Sequence, residues 1–163
     1  MDFVFFHRPE EENGYLSNWY GCNVASFSSS EHYMMWKKAM LFKDTETADK
    51  IKAAKTPAEA KKLGREVKNF SEKIWIAQRE AIMYEVNLVK FSENEELREK
   101  LLSTGQATLA ECAVHDRIWG IGLAMDDTAR FDVKSWRGQN LLGKSLMSAR
   151  AALQGGLEQM NVL

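Results

Sequence analysis

Glu31 and Lys38 stand seven residues apart, and that spacing can do chemistry. At 3.6 residues per turn, seven residues make close to two full turns, so both side chains leave one helix face about 10 Å apart along its axis. A ribose with its base spans such a distance. The helix dipole favours a carboxylate in the first turn. A desolvated amine has a lowered pKa and can attack a sugar carbon. The plainer alternative is a capping-box glutamate followed by a surface lysine. Lys37 sits beside Lys38, and two adjacent lysines cannot both face one pocket, so spacing leaves open which of them does.

A second group is His115-Asp116-Arg117-Ile118-Trp119-Gly120. An acid in a loop beside tryptophan can serve as a general base or orient a hydroxyl; equally, it can pair with Arg117 or cap a turn. Trp75 and Trp119, like Trp36 and Trp136, are either core or flat platforms for a nucleobase. Arg65 is a candidate phosphate fork or a surface charge. His32 reads as a packed or hydrogen-bonded histidine, and Met34, Met35 and Met40 as gap-filling core. Gly120 and Gly122 form neither a dinucleotide fingerprint nor a phosphate-binding loop.

The elements that must position these groups are mostly helical. Residues 3–7 predict a short strand, residues 9–14 an acidic turn, and residues 15–27 a loop or hairpin. Ser28 as N-cap with Glu31 three residues on predicts a helix to about Leu41. Asp44 or Thr45 caps a second helix through about Ala53. Thr56-Pro57-Ala58-Glu59 starts a third, with Gly64 as its C′ residue. Ser71 begins the longest helix, ending near Phe91, with Ile74, Gln78 or Ala81, Ile82, Val86 and Val89 on its inner face. A helix over residues 95–102 stops at Thr104-Gly105, and residues 108–114 predict a strand. The glycine- and tryptophan-rich residues 116–139 read as a functional loop. Residues 140–153 form the last helix, with Leu142, Leu146 and Leu153 inward and Gly155-Gly156 closing it.

With 163 residues and no linker or repeat, the sequence predicts one domain, residues 1–163 with a core over about 3–155, in the mainly α class with a small β component. No apolar run approaches the roughly 18 residues of a membrane span, and no signal peptide is legible, so a cytoplasmic protein with no membrane partner is expected. Cys22 and Cys112 read as reduced thiols. Three histidines and two cysteines show no zinc-ligand spacing, so no metal is expected. The charge is −1 overall but uneven: −3 over residues 1–30, +5 over residues 31–79 and −3 over residues 80–163. The basic middle suits a phosphate-bearing ligand or a nucleic acid, or is simply a solvated lysine-rich face.

The runs Leu16-Ser17-Asn18-Trp19-Tyr20, Ser30-Glu31-His32-Tyr33-Met34-Met35, Lys38-Ala39, Leu63-Gly64-Arg65, Trp75, Lys90-Phe91, Leu101-Leu102-Ser103-Thr104-Gly105, Asp116-Arg117-Ile118-Trp119-Gly120 and Asn140-Leu141-Leu142-Gly143-Lys144-Ser145-Leu146-Met147 follow one another along nearly the whole chain. In this order they resemble the NADAR (YbiA-like) N-glycosidase family. The resemblance implies a compact, mostly helical fold and cleavage of a bond between ribose and a base-like nitrogen. It implies either ADP-ribosylated guanine in nucleic acid or small phosphoribosylamino-pyrimidines of riboflavin synthesis as substrate, and no cofactor. The family glutamate, lysine, tryptophan and aspartate fall on Glu31, Lys38, Trp75 and Asp116. The lysine is implied to form a transient Schiff base with the opened ribose. On this reading Glu31, Lys38 and Asp116 are catalytic, and Asn18, His32, Arg65, Trp75, Trp119 and Asn140 bind substrate. A catalytically silent ADP-ribose or nucleotide-binding module is the reading from another class. This chain departs from the family pattern at Met35-Trp36-Lys37 and in its longer loop through Trp136, which bears on the substrate more than on the chemistry.

Overall fold

The computed structural model describes residues 1–161. It is mainly helical, with a two-stranded parallel sheet among the described residues, as the sequence predicts. No helix of it is long and apolar enough to cross a membrane. The chain groups into two compact units: residues 21–94 form one, and residues 1–20 with 95–163 form the other.

The unit of residues 21–94 holds four helices: α1 (Ser30–Leu41), α2 (Thr45–Ala53), α3 (Pro57–Arg65) and α4 (Glu72–Glu93). Helix α1 packs against the other three. Each start is capped by a side-chain oxygen on the amide three residues on: Ser29 on His32, Asp44 on Thr47, Thr56 on Glu59 and Ser71 on Ile74. Such caps satisfy amides that have no partner in the helix, typically worth about 1 kcal/mol each.

Three sequence expectations are corrected here. The first cap is Ser29, not Ser28, so Glu31 stands one position nearer the helix start and is not the capping-box partner. Gly64 is not a C′ residue. Helix α3 continues through Arg65, and a Cβ on Gly64 would overlap the Met35 sulfur, so glycine lets α3 lie close on α1. In α4, Ile74 is 47% exposed and Ala81 is exposed. The inward face instead carries Trp75, Arg79, Ile82, Met83, Val86, Asn87, Lys90 and Phe91. The stripe is one residue over from the apolar count because three of its members are polar.

The other unit pairs β1 (Phe3–Phe6) with β2 (Thr108–Glu111), Phe3 opposite Thr108 through Phe6 opposite Glu111. The second strand ends three residues before the expected Val114. Helices α5 (Glu95–Ser103) and α6 (Leu141–Met160) complete the unit, with α6 packed on both β2 and α5. Phe5, Ala110, Cys112, Ile121 and Leu123 make a buried cluster, each large apolar side chain contributing about 1.5–3 kcal/mol. Helix α6 does not stop at Gly155-Gly156 but runs through them, and Leu153 is only half-buried. At its start, a Cβ on Gly143 would overlap the Leu109 carbonyl oxygen, so helix and strand meet at a distance only glycine allows.

Candidate active site

Helix α1 sets the geometry of the expected acid and amine. Its first turn is fixed by Ser29 and His32. The His32 ring Nε2 lies 3.0 Å from the Ala54 carbonyl oxygen, which can only accept, so Nε2 carries the proton and Nδ1 accepts from the Ser29 hydroxyl at 2.6 Å. Both ring nitrogens of this buried histidine are thus engaged, and they lock the start of α1 to the end of α2. Glu31, one residue earlier, is 5% exposed. Asp44 ties a further corner: Oδ1 accepts from the Thr47 amide at 3.0 Å and Oδ2 from the Lys68 amide at 2.9 Å. Those bonds, led by the one from Lys68, hold its carboxyl down at about 2.

The structure settles which lysine shares the Glu31 side. Lys37 forms an ion pair with Glu85 at 2.8 Å and lies over the Tyr33 ring. Lys38 lies 4.8 Å from the Phe70 ring centre and 5.3 Å from that of Trp75. Burial pulls the Lys38 amine below its usual value; the Glu31 charge opposes that shift, and the Arg65 charge adds to it. An acid, an amine with a depressed pKa, an indole face and a guanidinium therefore belong to one neighbourhood. Arg65 is exposed at the end of α3, and Trp75 is half-buried in the first turn of α4. This arrangement has the parts for nucleophilic attack by an amine with a carboxyl group as proton carrier.

Sequence reasoning gave no role to Arg79, Asn87 or Lys90, all buried on the inner face of α4. Lys90 is fully buried, and burial pulls its amine down to about 8, opposed by the neighbouring Cys22 thiol. The signal was present as the 3–4 spacing of 75, 79, 83, 86 and 90, masked by the preference for apolar residues at inward positions.

The remaining expected residues belong to the other unit. Asp116 is half-buried, and its Oδ1 accepts from the amides of Ile118 at 3.0 Å and Trp119 at 2.8 Å, holding the loop in a tight turn. Its Oδ2 accepts no hydrogen bond among the described residues. The half-buried Trp119 accepts from the Leu142 amide through its carbonyl oxygen. Asn140 is buried at φ 53°, a left-handed conformation asparagine tolerates. Its side chain donates to the Leu109 carbonyl at 2.9 Å and accepts from the Glu111 amide at 3.2 Å, clamping β2 to the start of α6. Asn18 is buried just after the 3-10 turn Gly14–Leu16.

The NADAR domain model matches residues 4–154. An N-glycosidase of Acanthamoeba polyphaga mimivirus is 38% identical over 160 residues, covering 91% of this chain and 94% of that protein. A riboflavin biosynthesis protein of Vibrio vulnificus is 32% identical over 155 residues, covering 93% of this chain but 38% of that protein. The NMR structure of YbiA from Escherichia coli superposes with a TM-score of 0.77 at 27% identity, covering 98% of this chain and 88% of that one.

Proposed function

Because the chain belongs to the NADAR family, we propose that it is an N-glycosidase and that Lys38 is its nucleophile. The carrying observation is the placement of Lys38: its amine lies over the Trp75 ring, is lowered by burial and feels the Glu31 charge on its own helix. The neutral amine attacks the anomeric carbon while the bond to the base nitrogen breaks. Glu31 shuttles a proton, taking it from the Lys38 ammonium and passing it to the departing nitrogen. The sugar–lysine adduct opens when the lysine proton passes to the ring oxygen, giving an imine. Water then adds to the imine, regenerating the amine and releasing the ribose. Trp75 stacks the base. Acid, base and nucleophile suffice for each step.

The proposed substrate is ADP-ribosylated guanine in nucleic acid. The net +5 charge of residues 31–79 suits a phosphodiester, and the long loop bearing Trp119 and Trp136 suits an extended ligand. A second reading, hydrolysis of phosphoribosylamino-pyrimidines, is favoured by the Vibrio relative's name.

The test is incubation with a guanine-ADP-ribosylated DNA oligonucleotide followed by mass spectrometry. The wild type is expected to remove one ADP-ribose mass and Glu31→Gln to remove none. Cyanoborohydride is expected to trap a sugar adduct on the wild type and not on Lys38→Arg. Full activity of Lys38→Arg would sink the covalent mechanism. An unchanged oligonucleotide moves the assignment to the pyrimidine substrates, and ligand binding without base release from either substrate leaves a binding module.

A further inference from the structure

We propose that Arg79 is a phosphate-binding residue, the guanidinium that receives the phosphate of a phosphorylated ribose. The ligand class rests on the glycosidase reading; the geometry rests on α4 and α1 alone.

Arg79 is 9% exposed, and its Nε has no hydrogen-bond partner among the described residues. The ion pairs of its unit, Lys37–Glu85, Lys50–Glu46 and Lys68–Glu46, do not include it. A buried donor without an acceptor costs free energy that an apolar residue of similar volume packed there would not. What a guanidinium offers over methionine or leucine is a planar fork of donors that fits phosphate.

The position suits that use. Arg79 follows Trp75 by four residues, which puts it on the same face of α4 about 6 Å further along the axis. Helix α1 is pinned to α4 on either side of that turn, through Lys38 over Trp75 and through Lys37 on Glu85. A ribose held at Lys38 with its base on Trp75 would carry its phosphate about one helical turn from Trp75, the spacing at which Arg79 follows it. Arg65 is exposed and already among the charges acting on Lys38; Arg79 is the buried cation whose own donor is unmet.

The experiment compares binding of ribose 5-phosphate and ribose, read by tryptophan fluorescence, for wild type, Arg79→Met and Arg79→Lys, with the melting temperature of each. Wild type is expected to prefer the phosphorylated sugar at least 30-fold. Arg79→Met should bind the two sugars equally and melt at or above the wild-type temperature, because a buried donor with no acceptor has gone. Arg79→Lys should recover part of the preference. A wild type that binds both sugars equally, or neither, overturns the proposal. So does a methionine variant that keeps the preference, or one that melts several degrees lower and loses both sugars alike, which is the mark of a structural arginine. Base release from a glycoside is measured separately: its absence sinks the glycosidase reading and leaves the sugar-binding comparison readable.

Discussion

Lys38 Nζ lies over the Trp75 indole, 5.3 Å from the ring centre. The indole acts on the amine in two opposed ways. Its face attracts the ammonium, by about 0.5–2 kcal/mol, while its bulk excludes water and disfavours the charge. Burial is the largest influence on Lys38 and lowers its pKa, so the ring is expected to act mainly by excluding water. Trp75→Ala is therefore expected to raise the Lys38 pKa and move the acid limb of the kcat–pH profile to higher pH, while Trp75→Phe leaves the limb near its place. A limb that moves downward in Trp75→Ala would show that ring attraction dominates.

Glu31 and Arg65 push the same amine in opposite directions. Glu31→Gln should lower the Lys38 pKa further and Arg65→Gln should raise it, readable by NMR titration of carbon-13 dimethylated lysine. Turnover of Glu31→Gln should fall by about 10²–10⁴ if the carboxyl group carries the proton. Equal shifts of one sign in both variants would refute the assignment of these neighbours.

Lys37 serves as the internal control. Its partner Glu85 is half-exposed, with a side chain 54% accessible, and such pairs are worth about 0–1 kcal/mol. Lys37→Met should cost no more than that in denaturant melts and leave turnover within about twofold of wild type. A loss from Lys37→Met as deep as that from Lys38→Arg would mean the nucleophile had been misassigned.

Lys90 makes stability depend on pH in a defined direction. Its folded pKa of about 8 lies below the ordinary 10.5. Below about 8 it is charged in both states, and the folded state bears the cost of burying that charge. Between about 8 and 10.5 the folded protein releases its proton first, so the unfolded chain binds more protons and stability rises with pH. The gain is about 3 kcal/mol at most. Urea melts from pH 7 to 10 should show the wild type gaining on Lys90→Met across that window, and parallel curves would contradict it.

Two kinds of glycine in α6 should respond oppositely to alanine. At Gly143 the added methyl meets the Leu109 carbonyl and the Asn140 amide, a backbone clash expected to cost about 1–3 kcal/mol or more. Nothing lies within 4 Å of a Cβ at Gly155 or Gly156, so alanine there should stabilise by about 0.5–1 kcal/mol each through helix propensity. Thermal melts and hydrogen exchange over α6 check both signs.

The helices were legible where chemistry marks their ends. Asp44, Thr56-Pro57 and Ser71 each carry the cap that the structure shows. Three serines in a row hid the start of α1, because any of residues 28–30 can cap and only the His32 ring selects Ser29. The face of α4 was misread because Ile74 outscores Trp75's polar stripe-mates Arg79, Asn87 and Lys90 in any apolar count. Buried polar residues are invisible to that count by construction, and they concentrate where function is carried. Glu31 and Lys38 were legible because helix periodicity alone puts them on one side; the separation of Lys37 from Lys38 required Glu85, distant in sequence, to be in view.

The register of Phe3 opposite Thr108 has a consequence for the chain as it is made. Residues 21–94 form a unit whose every part is contiguous in sequence, so it can close as soon as α4 has left the ribosome. Strand β1 precedes that unit in the chain, yet its partner β2 is synthesised only after the whole of it. Until then its apolar Phe-Val-Phe-Phe edge has no ladder to join. Pairing across so long a loop is entropically slow. The nascent chain thus carries an unpaired, aggregation-prone strand until β2 is made, and a chaperone or a fast ribosome shortens that interval.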